Sequence, residues 1–368
     1  MRGRRDRQEL RQALDETKYD CFPPRHDAQR YLPRAATTDT DTAGSFARMQ
    51  VRRLGARGAE VSRLALGTMT WSRDTSADEA ALLLENFLDA GGTLLDTAAT
   101  YANGEAERVI GSLLAEAFTR DEVQLCTKAG VRRTPEGGVI DASRGALLDT
   151  LDGSLKRMGT DHVDMWLVHA FDPVTPLEET MHALEVALNS GRARHVGLSN
   201  FPGWALARAA TLARPETAPA VVQMEYSLLE RGIEREVVPA ASALGLGVMA
   251  WSPLGRGVLT GKYHNAIPAD SRAASDHLSG FVEPYLNARA ASIVAALRTA
   301  SDGLGRSPHE VALAWVRDAP GVASAIVGAR TAEQLRVSLA SEDLTLPPAI
   351  REALDDISAP PIGYPERR

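Results

Sequence analysis

The chain has little of what several protein classes require. Only two of its 368 residues are cysteines, Cys21 and Cys126, too few for a disulfide framework, which favours a reducing compartment. No run approaches the roughly 18 apolar residues of a membrane span, and the arginine-rich start lacks the apolar segment of a signal peptide. Acidic residues outnumber basic ones, 48 to 41, which argues against nucleic-acid binding. We therefore expect a soluble cytoplasmic protein that does not bind nucleic acid or a membrane.

Metal-binding spacings are also missing from the sequence. The histidines at positions 162, 169, 182 and 195 do not form the H-E-x-x-H pair of a zinc enzyme. The two cysteines lie too far apart in the sequence to suggest a zinc site. The sequence therefore predicts no metal, and Cys126, in a strand-like run, is expected to have a packing role.

Residues 1–48 differ in character from the rest of the chain. They hold ten basic and eight acidic residues, a polar tract at 37–44 and little apolar periodicity. Burial of so little apolar surface cannot offset the conformational entropy that the segment would lose on folding. We therefore predict a disordered or loosely attached extension. Two alternatives stay open: its arginines contact a polyanion, or Met49 is the true start. We assign residues 1–48 to this extension and residues 49–368 to one folded domain.

From Met49 onward, short apolar runs alternate with longer amphipathic stretches. Seven runs begin near residues 64, 93, 123, 163, 195, 221 and 247, about one βα unit apart, and an eighth begins near 323. Helical periodicity is clear at 78–90 and 177–189. This alternation predicts an α/β fold, the (β/α)8 TIM barrel, since a doubly wound sheet would need two domains and no linker is evident. Two runs flanking residues 56–58 predict an N-terminal β-hairpin that closes the barrel bottom.

Polar side chains stand at the ends of successive predicted strands, where barrel enzymes place their active sites. These residues are Asp96, Lys128, His169, Ser199, Asn200 and Gln223. Each alone has an ordinary explanation as a helix cap or a buried hydrogen-bonded group. Asp96, Lys128 and His169 nevertheless lie two residues beyond apolar positions of the same strands, so strand alternation aims them at the barrel interior. The set as a whole therefore predicts a catalytic cluster.

The residue types suggest one kind of chemistry. Tyr101 follows Asp96 by five residues and can return over the same end of the barrel. A tyrosine has an unperturbed pKa of about 10, and a neighbouring ammonium, here Lys128, lowers it. Asp96 would keep Lys128 charged, and His169 could donate to a substrate oxygen. Such a set protonates an oxygen as negative charge develops on it, which suits carbonyl reduction by hydride transfer.

Five segments of the chain, in order, resemble the aldo-keto reductases. They are GGTLLDTAATYANGEAERVIGSLL, VDMWLVHA, GRARHVGLSNF, AWSPLGRGVLTGK and IVGARTAEQL, within residues 49–357. The likeness is nearest to the bacterial branch that includes potassium-channel β-subunit-like and perakine-reductase-like members. It implies a (β/α)8 barrel that reduces aldehydes and ketones with NADPH and without metal. In that family pattern Tyr101 is the general acid, Lys128 and Asp96 tune it, and His169 orients the carbonyl.

The resemblance also implies where the cofactor binds. Positions matching the nicotinamide and ribose contacts are Gly67, Thr68, Met69, Asp96, Ser199, Asn200, Gln223 and Trp251. Positions matching the loop over the pyrophosphate are Ser252, Pro253, Leu254, Gly255, Arg256 and Lys262. Trp251 would stack on the nicotinamide, with core packing as its alternative explanation. Glycines at 255, 257 and 261 would let the backbone approach the phosphates closely.

The last matching segment bears on which dinucleotide is used. Its matching positions are Gly328, Arg330, Gln334 and Ser338. A helix beginning near Thr331 would present free N–H groups to a phosphate, and Arg330 suits the adenosine 2′-phosphate. We therefore expect NADPH rather than NADH. Ser338 departs from the asparagine that many relatives place near the adenine, which weakens the adenine assignment alone.

The sequence leaves the carbonyl substrate and the oligomeric state open. A wall of Trp71, Phe171 and Trp204 would suit aromatic or terpenoid carbonyls, whereas Arg132 and Arg133 would suit an acidic or phosphorylated aldehyde. Two other functions stay open. One is an NADPH-binding regulatory subunit of a partner protein, and the other is a barrel lyase or isomerase that binds no nicotinamide.

Overall fold

A computed structural model describes residues 48–134, 137–263, 267–269, 271–275, 278–361 and 363. The predicted extension at residues 1–48 lies outside these ranges, apart from Arg48. The described chain opens with an antiparallel hairpin of strands β1 (Val51–Arg53) and β2 (Glu60–Ser62). The two apolar runs that flank residues 56–58 predict this hairpin, and the structure confirms it.

Eight parallel strands then form a closed barrel. They are β3 (Leu64–Gly67), β4 (Leu94–Asp96), β5 (Gln124–Ala129), β8 (Val163–Val168), β9 (Ala193–Ser199), β10 (Val221–Glu225), β11 (Gly247–Trp251) and β12 (Val322–Val327). A second hairpin, β6 (Val131–Thr134) and β7 (Gly137–Ile140), lies outside the ring. Each barrel strand begins within about two residues of its predicted start, so the TIM-barrel prediction is confirmed.

Helices separate the barrel strands along the chain. They are α1 (Ala77–Asp89), α2 (Glu105–Glu116), α3 (Arg144–Met158), α4 (Leu177–Asn189), α5 (Gly203–Leu212), α6 (Val237–Leu244), α7 (Ser279–Val282), α8 (Ala288–Leu304), α9 (Pro308–Arg317), α10 (Ala332–Leu339) and α11 (Pro348–Ser358). The helical patterns at 78–90 and 177–189 correspond to α1 and α4. Among the described residues, no helix is both long enough and apolar enough to cross a membrane.

Strand alternation sorts the apolar side chains into two layers. The barrel interior holds Leu94, Cys126, Met165, Leu167, Val221 and Met249. Neighbouring residues of the same strands, such as Leu95 and Leu125, instead pack outward among the helices. Asp96 and Lys128 have the parity of the interior layer, so their side chains enter the barrel at its C-terminal end. Cys126 is buried below them, as expected for a packing role.

The first hairpin fills the opposite, N-terminal end of the barrel. Leu54 and Val61 belong to the interior layer and are fully buried. The turn lies against the start of β11, where the Ala56 N–H donates to the Gly245 carbonyl oxygen at 2.8 Å. Gly55 makes this approach feasible, because a Cβ there would lie 2.4 Å from that same oxygen. The predicted closure of the barrel bottom is therefore confirmed.

Two glycines of this turn allow a matched test of the closure. Gly55 and Gly58 both have left-handed backbones, with φ of +68° and +79°, but a Cβ at Gly58 would meet nothing within 4 Å. We expect Gly58→Ala to cost about 1 kcal/mol from backbone strain alone. Gly55→Ala should cost about 1–3 kcal/mol more, because the methyl group overpacks the contact with β11. Urea unfolding measures the free energy of unfolding of both variants. Equal losses would show that the turn at Gly55 is not closely packed against β11.

Candidate active site

Tyr101, Lys128 and Asp96 meet at the C-terminal end of the barrel. The Lys128 ammonium donates to Asp96 Oδ2 at 2.7 Å and to the Thr97 carbonyl oxygen at 2.8 Å, and its Nζ lies 3.4 Å from Tyr101 Oη. Lys128 and Asp96 are almost wholly buried, with exposed fractions of 1% and 3%. The structure thus brings these three predicted catalytic residues into direct contact.

The charge on Lys128 is stabilised inside this buried site. Burial by itself favours the neutral amine, but the Asp96 carboxylate, with a smaller contribution from Tyr101, raises the pKa of Lys128 above its ordinary value. The second carboxylate oxygen, Asp96 Oδ1, accepts from Gln223 Nε2 at 2.7 Å. Asp96 therefore links the lysine on β5 to the amide on β10, and Lys128 stays an ammonium at physiological pH.

The pKa of Tyr101 differs from the expectation drawn from the sequence. The lysine does lower the pKa of Tyr101, but burial raises it by more, so the net pKa lies above its ordinary value. The expectation of a lowered tyrosine pKa is therefore wrong for this structure, because burial outweighs the single neighbouring ammonium. Tyr101 is protonated at neutral pH and has a proton to donate.

His169 faces the same cavity as a neutral ring. Burial, together with the nearby Lys128 ammonium, lowers the pKa of His169 to about 3. Its ring stands edge-on to Tyr101, with centroids 6.1 Å apart and planes at 79°, and its buried Nδ1 has no hydrogen-bond partner among the described residues. A neutral imidazole keeps one N–H, so His169 can donate a hydrogen bond without adding a second cation.

The residues matched to the nicotinamide amide lie beside His169. Asn200 has a left-handed backbone, with φ of +56°, and its Nδ2 donates to the His169 carbonyl oxygen at 2.9 Å and to Ser199 Oγ at 3.1 Å. Its Oδ1 accepts from Trp251 Nε1 at 3.1 Å. The indole of Trp251 is thus oriented by Asn200 at the cavity wall, and it also packs against the barrel interior.

Most of the predicted catalytic and cofactor-binding residues line one cavity at this end of the barrel. Those that line it are Gly67, Met69, Asp96, Tyr101, His169, Ser199, Asn200, Gln223, Trp251, Ser252, Pro253, Leu254, Arg256 and Gly328. Thr68 is buried behind the wall, where its hydroxyl donates to the Asp96 carbonyl oxygen at 3.1 Å. Thr70, Phe281, Ile326 and Val327 also line the cavity, and sequence reasoning did not single them out.

The loop after β11 is held by an ion pair that the sequence analysis missed. Arg256 donates from Nε and Nη2 to the Glu225 carboxylate at 2.8 and 2.5 Å, and from Nη1 to the Phe281 carbonyl oxygen at 2.6 Å. Its guanidinium also lies 3.9 Å from the centre of the Phe281 ring. Glu225 ends β10 two residues beyond Gln223, so the alternation rule applied to Asp96 could have identified it. Contact between Arg256 and a pyrophosphate stays a prediction.

The same loop has the backbone conformations that its glycines predict. Gly255, Gly257 and Gly261 have φ of +54°, +94° and +79°. Lys262 folds back over the loop, with its Nζ 3.5 Å from where a Gly257 Cβ would be and 5.2 Å from the centre of the Tyr263 ring. Gly255 and Lys262 do not belong to the cavity lining.

Of the positions matched in the last segment, Gly328 lines this cavity, whereas Arg330, Gln334 and Ser338 lie outside its lining. Helix α10 begins where expected, with the Thr331 side chain accepting from the Gln334 N–H at 3.3 Å. Gln334 Oε1 accepts from the Arg330 N–H at 3.0 Å. The first N–H of the helix, that of Ala332, donates to the carboxylate of Glu79 from α1 at 2.5 Å. A carboxylate that the sequence did not predict therefore occupies this helix terminus.

The position of Ser338 is also defined in the structure. Its hydroxyl lies 2.8 Å from His309 Nε2 and donates to the Gln334 carbonyl oxygen at 3.2 Å. Burial lowers the pKa of His309 to about 4, so this histidine is neutral at physiological pH. A contact between Ser338 and an adenine stays a prediction.

The cavity lining includes none of the three residues of the predicted apolar substrate wall, Trp71, Phe171 and Trp204. Trp71 is fully buried among core side chains instead. Phe171 does pack edge-on against Phe201 and Trp204, each at 5.3 Å, and Trp204 is 57% exposed. Arg132 is exposed on the β6–β7 hairpin.

Comparisons with known proteins agree with this site. Residues 63–359 match the aldo/keto reductase family, and the chain belongs to that family. It is 36% identical to the uncharacterized oxidoreductase YrpG of Bacillus subtilis, over 86% of this chain and 98% of that protein. It is 35% identical to a probable voltage-gated potassium channel subunit beta of Oryza sativa, over 87% and 98%. It is 34% identical to the L-glyceraldehyde 3-phosphate reductase of Escherichia coli K12, over 79% and 86%.

Membership fixes the general class of the protein. It is an oxidoreductase of a family that reduces carbonyl groups with a nicotinamide dinucleotide. The donor set of the cavity suits such a group, since hydroxyl and amide side chains surround one end and an oriented indole forms a wall. The glycines of the loop after β11 have left-handed backbones, a conformation that allows a close approach of the backbone to a phosphate.

The buried ion pair can be tested through stability. Lys128→Met leaves the Asp96 carboxylate buried without its cation, so we expect the free energy of unfolding to fall by about 3–5 kcal/mol. Adding Asp96→Asn removes the unpaired charge and should recover most of that loss. Urea unfolding without cofactor measures both variants. If the single and double variants were equally stable, Asp96 would not be a buried charge.

Proposed function

We propose that this protein is an NADPH-dependent reductase that converts an aldehyde or ketone to its alcohol, with Tyr101 as the proton donor. One observation carries the proposal. A protonated tyrosine lies 3.4 Å from a buried ammonium, in a cavity shared with a neutral histidine and an oriented tryptophan. The absence of a free carboxylate or thiol nucleophile among these groups favours proton donation over covalent catalysis.

The residues of the cavity would divide the binding between two ligands. Ser199, Asn200 and Gln223 would hold the carboxamide of a nicotinamide, and Trp251 would support its ring. The bound dinucleotide supplies the hydride. The Tyr101 hydroxyl and the His169 N–H then remain for the carbonyl oxygen, and both residues line the same cavity as the proposed nicotinamide contacts.

The proton moves through the chain's own side chains. Tyr101 gives its proton to the carbonyl oxygen as hydride reaches the carbonyl carbon, which yields the alcohol and a phenolate. Lys128 stabilises that phenolate, and Asp96 keeps the ammonium in place. His169, being neutral, donates a hydrogen bond to the same oxygen and orients it. The phenolate recovers its proton from solvent after the alcohol leaves.

Replacing the proton donor tests this assignment. We expect Tyr101→Phe to lower kcat for reduction of a generic aldehyde by about 100-fold or more, since general acid catalysis contributes roughly 10²–10⁴-fold. Cofactor affinity should be nearly unchanged, because the hydroxyl is not among the proposed cofactor contacts. Steady-state kinetics and quenching of tryptophan fluorescence by NADPH measure the two quantities.

Three results would separate the alternatives. Wild-type turnover in the Tyr101→Phe variant would show that another group donates the proton. Tight NADPH binding by a wild-type protein without turnover would favour the regulatory-subunit alternative. A wild-type protein that binds neither dinucleotide would overturn the reductase proposal and favour the lyase or isomerase.

We also propose that NADPH is preferred over NADH, through Arg330 and the start of α10. Glu79 opposes this preference, because its carboxylate holds the Ala332 N–H that a 2′-phosphate would use. We expect Glu79→Gln to strengthen NADPH binding about two- to fivefold, since charge at a helix terminus contributes roughly 0.3–1 kcal/mol. NADH affinity should not change, because NADH has no 2′-phosphate.

Asp78 provides a matched control for this prediction. It lies next to Glu79 in the first turn of α1 but is exposed to solvent. Asp78→Asn removes the same charge without freeing the helix terminus and should leave the ratio of NADPH to NADH affinity unchanged. Equal shifts in the two variants would point to a general charge effect instead of displacement at Ala332.

An aromatic cluster and the cysteine content bear on the substrate and on the cellular location. We propose a small carbonyl compound with an apolar or aromatic group, because Phe171, in the loop after β8, and the exposed Trp204, at the start of α5, form an aromatic cluster at the catalytic end of the barrel. The few cysteines favour the cytosol as the site of action.

A further inference from the structure

The loop that carries Tyr101 has an unfavourable backbone. Directly after the tyrosine, Ala102, Asn103 and Gly104 all have left-handed conformations, with φ of +47°, +57° and +91°. Residues with a side chain rarely adopt this region, so Ala102 and Asn103 in succession persist there only where surrounding groups hold them. The position of the tyrosine hydroxyl therefore depends on whatever supports this short segment.

Arg157, in the last turn of α3, lies against that segment. A Cβ at Gly104 would lie 2.8 Å from Arg157 Cδ and 2.9 Å from its Nε, so the arginine packs directly on the loop backbone. The helices meet closely at the same place, since a Cβ at Gly111 of α2 would lie 2.4 Å from the Arg157 carbonyl oxygen. Glycine at 104 thus serves both the left-handed turn and this contact.

The Arg157 guanidinium connects the loop to the strand that carries Lys128. Its Nε donates to Glu107 Oε2 at 2.7 Å, and Glu107, in the first turn of α2, is completely buried. The other carboxylate oxygen of Glu107 accepts from the Thr127 hydroxyl at 2.6 Å. Thr127 immediately precedes Lys128 on β5, with its side chain on the outer face of the barrel. A continuous path therefore joins Tyr101 to Lys128 behind the active site.

We propose that Arg157 is a positioning residue for Tyr101. Its side chain holds the left-handed turn from outside, and its ion pair with Glu107 fixes that turn relative to β5. The 3.4 Å separation between Tyr101 Oη and Lys128 Nζ is the distance that this arrangement sets. Arg157 touches neither the cavity nor the reacting atoms. The proposal rests on the proposed function of Tyr101 as proton donor.

The test uses two variants of the full-length protein. Arg157→Met keeps the length of the side chain but leaves Glu107 buried without a cation, so its folding can suffer. The double variant Arg157→Met with Glu107→Gln removes that charge, and its thermal stability should return toward wild type. We expect kcat to stay about 10- to 100-fold low in both variants, because misplacing a catalytic group by about 1 Å has effects of that order.

Two readouts distinguish misplacement from simple loss of folded protein. With NADPH deuterated at the transferred hydrogen, the isotope effect on kcat should rise in the double variant, because the chemical step becomes slower. The Kd of NADPH should stay within about twofold, because no proposed cofactor contact has changed. A smaller folded fraction alone would lower the apparent kcat and leave the isotope effect unchanged.

Arg108→Gln is the matched control. It removes an arginine of α2 that pairs with Glu105 at 3.1 Å on the exposed surface, whereas the atoms nearest to a Cβ at Gly104 all belong to Arg157. It should leave kcat and the isotope effect at wild-type values. Wild-type kcat and isotope effect in the double variant, or the same change in Arg108→Gln, would overturn the positioning role.

Crystal structures of the wild type and the double variant keep this test separate from the proposed function. A displaced Ala102–Gly104 turn and a longer Tyr101–Lys128 distance would support positioning by Arg157. An unchanged turn would overturn it, even if the wild-type protein reduced no carbonyl. Lack of turnover in the wild type would by itself overturn only the proposed function.

Discussion

The ion pair between Lys128 and Asp96 is the constraint on which the site depends. Two charges buried above an apolar barrel interior are costly to remove from water, and close contact with further hydrogen bonds has to offset that cost. The Thr97 carbonyl oxygen and the Gln223 amide supply those bonds. The pair also influences its neighbours. Its ammonium contributes to the lowered pKa of His169 and lies 3.4 Å from the Tyr101 hydroxyl oxygen.

The sequence predicts the parts of this arrangement that follow from local periodicity. Strand alternation places Asp96 and Lys128 on the interior face, and the spacing of apolar runs sets the strand starts within about two residues. The net pKa direction of Tyr101 could not be predicted, because burial depends on how separate loops close over the ring. Trp71 was misplaced for the same reason, since a residue just after a strand can turn either into the core or into the cavity.

The sequence also could not predict contacts between distant parts of the chain. Glu225 pairs with Arg256 about 30 residues away, and Glu79 reaches Ala332 about 250 residues away. In both places a carboxylate already binds the cation or N–H group that the family pattern assigns to a phosphate. Anion binding there would be an exchange of one negative group for another, so its net free energy is smaller than the direct contact alone would suggest. At the nicotinamide end the arrangement is mixed, since Trp251 and Asn200 are oriented by neutral groups, whereas the Gln223 amide already donates to the Asp96 carboxylate.

The hairpin at the N-terminal end of the barrel constrains the order in which two ligands can enter and leave the cavity. Because Leu54 and Val61 fill that end, the described chain leaves the cavity accessible only from the loops at the opposite end. Two ligands that share one entrance cannot pass each other. A dinucleotide at Gln223 and Trp251 and a carbonyl compound at Tyr101 would therefore enter and leave in a fixed order, set by which of the two lies deeper.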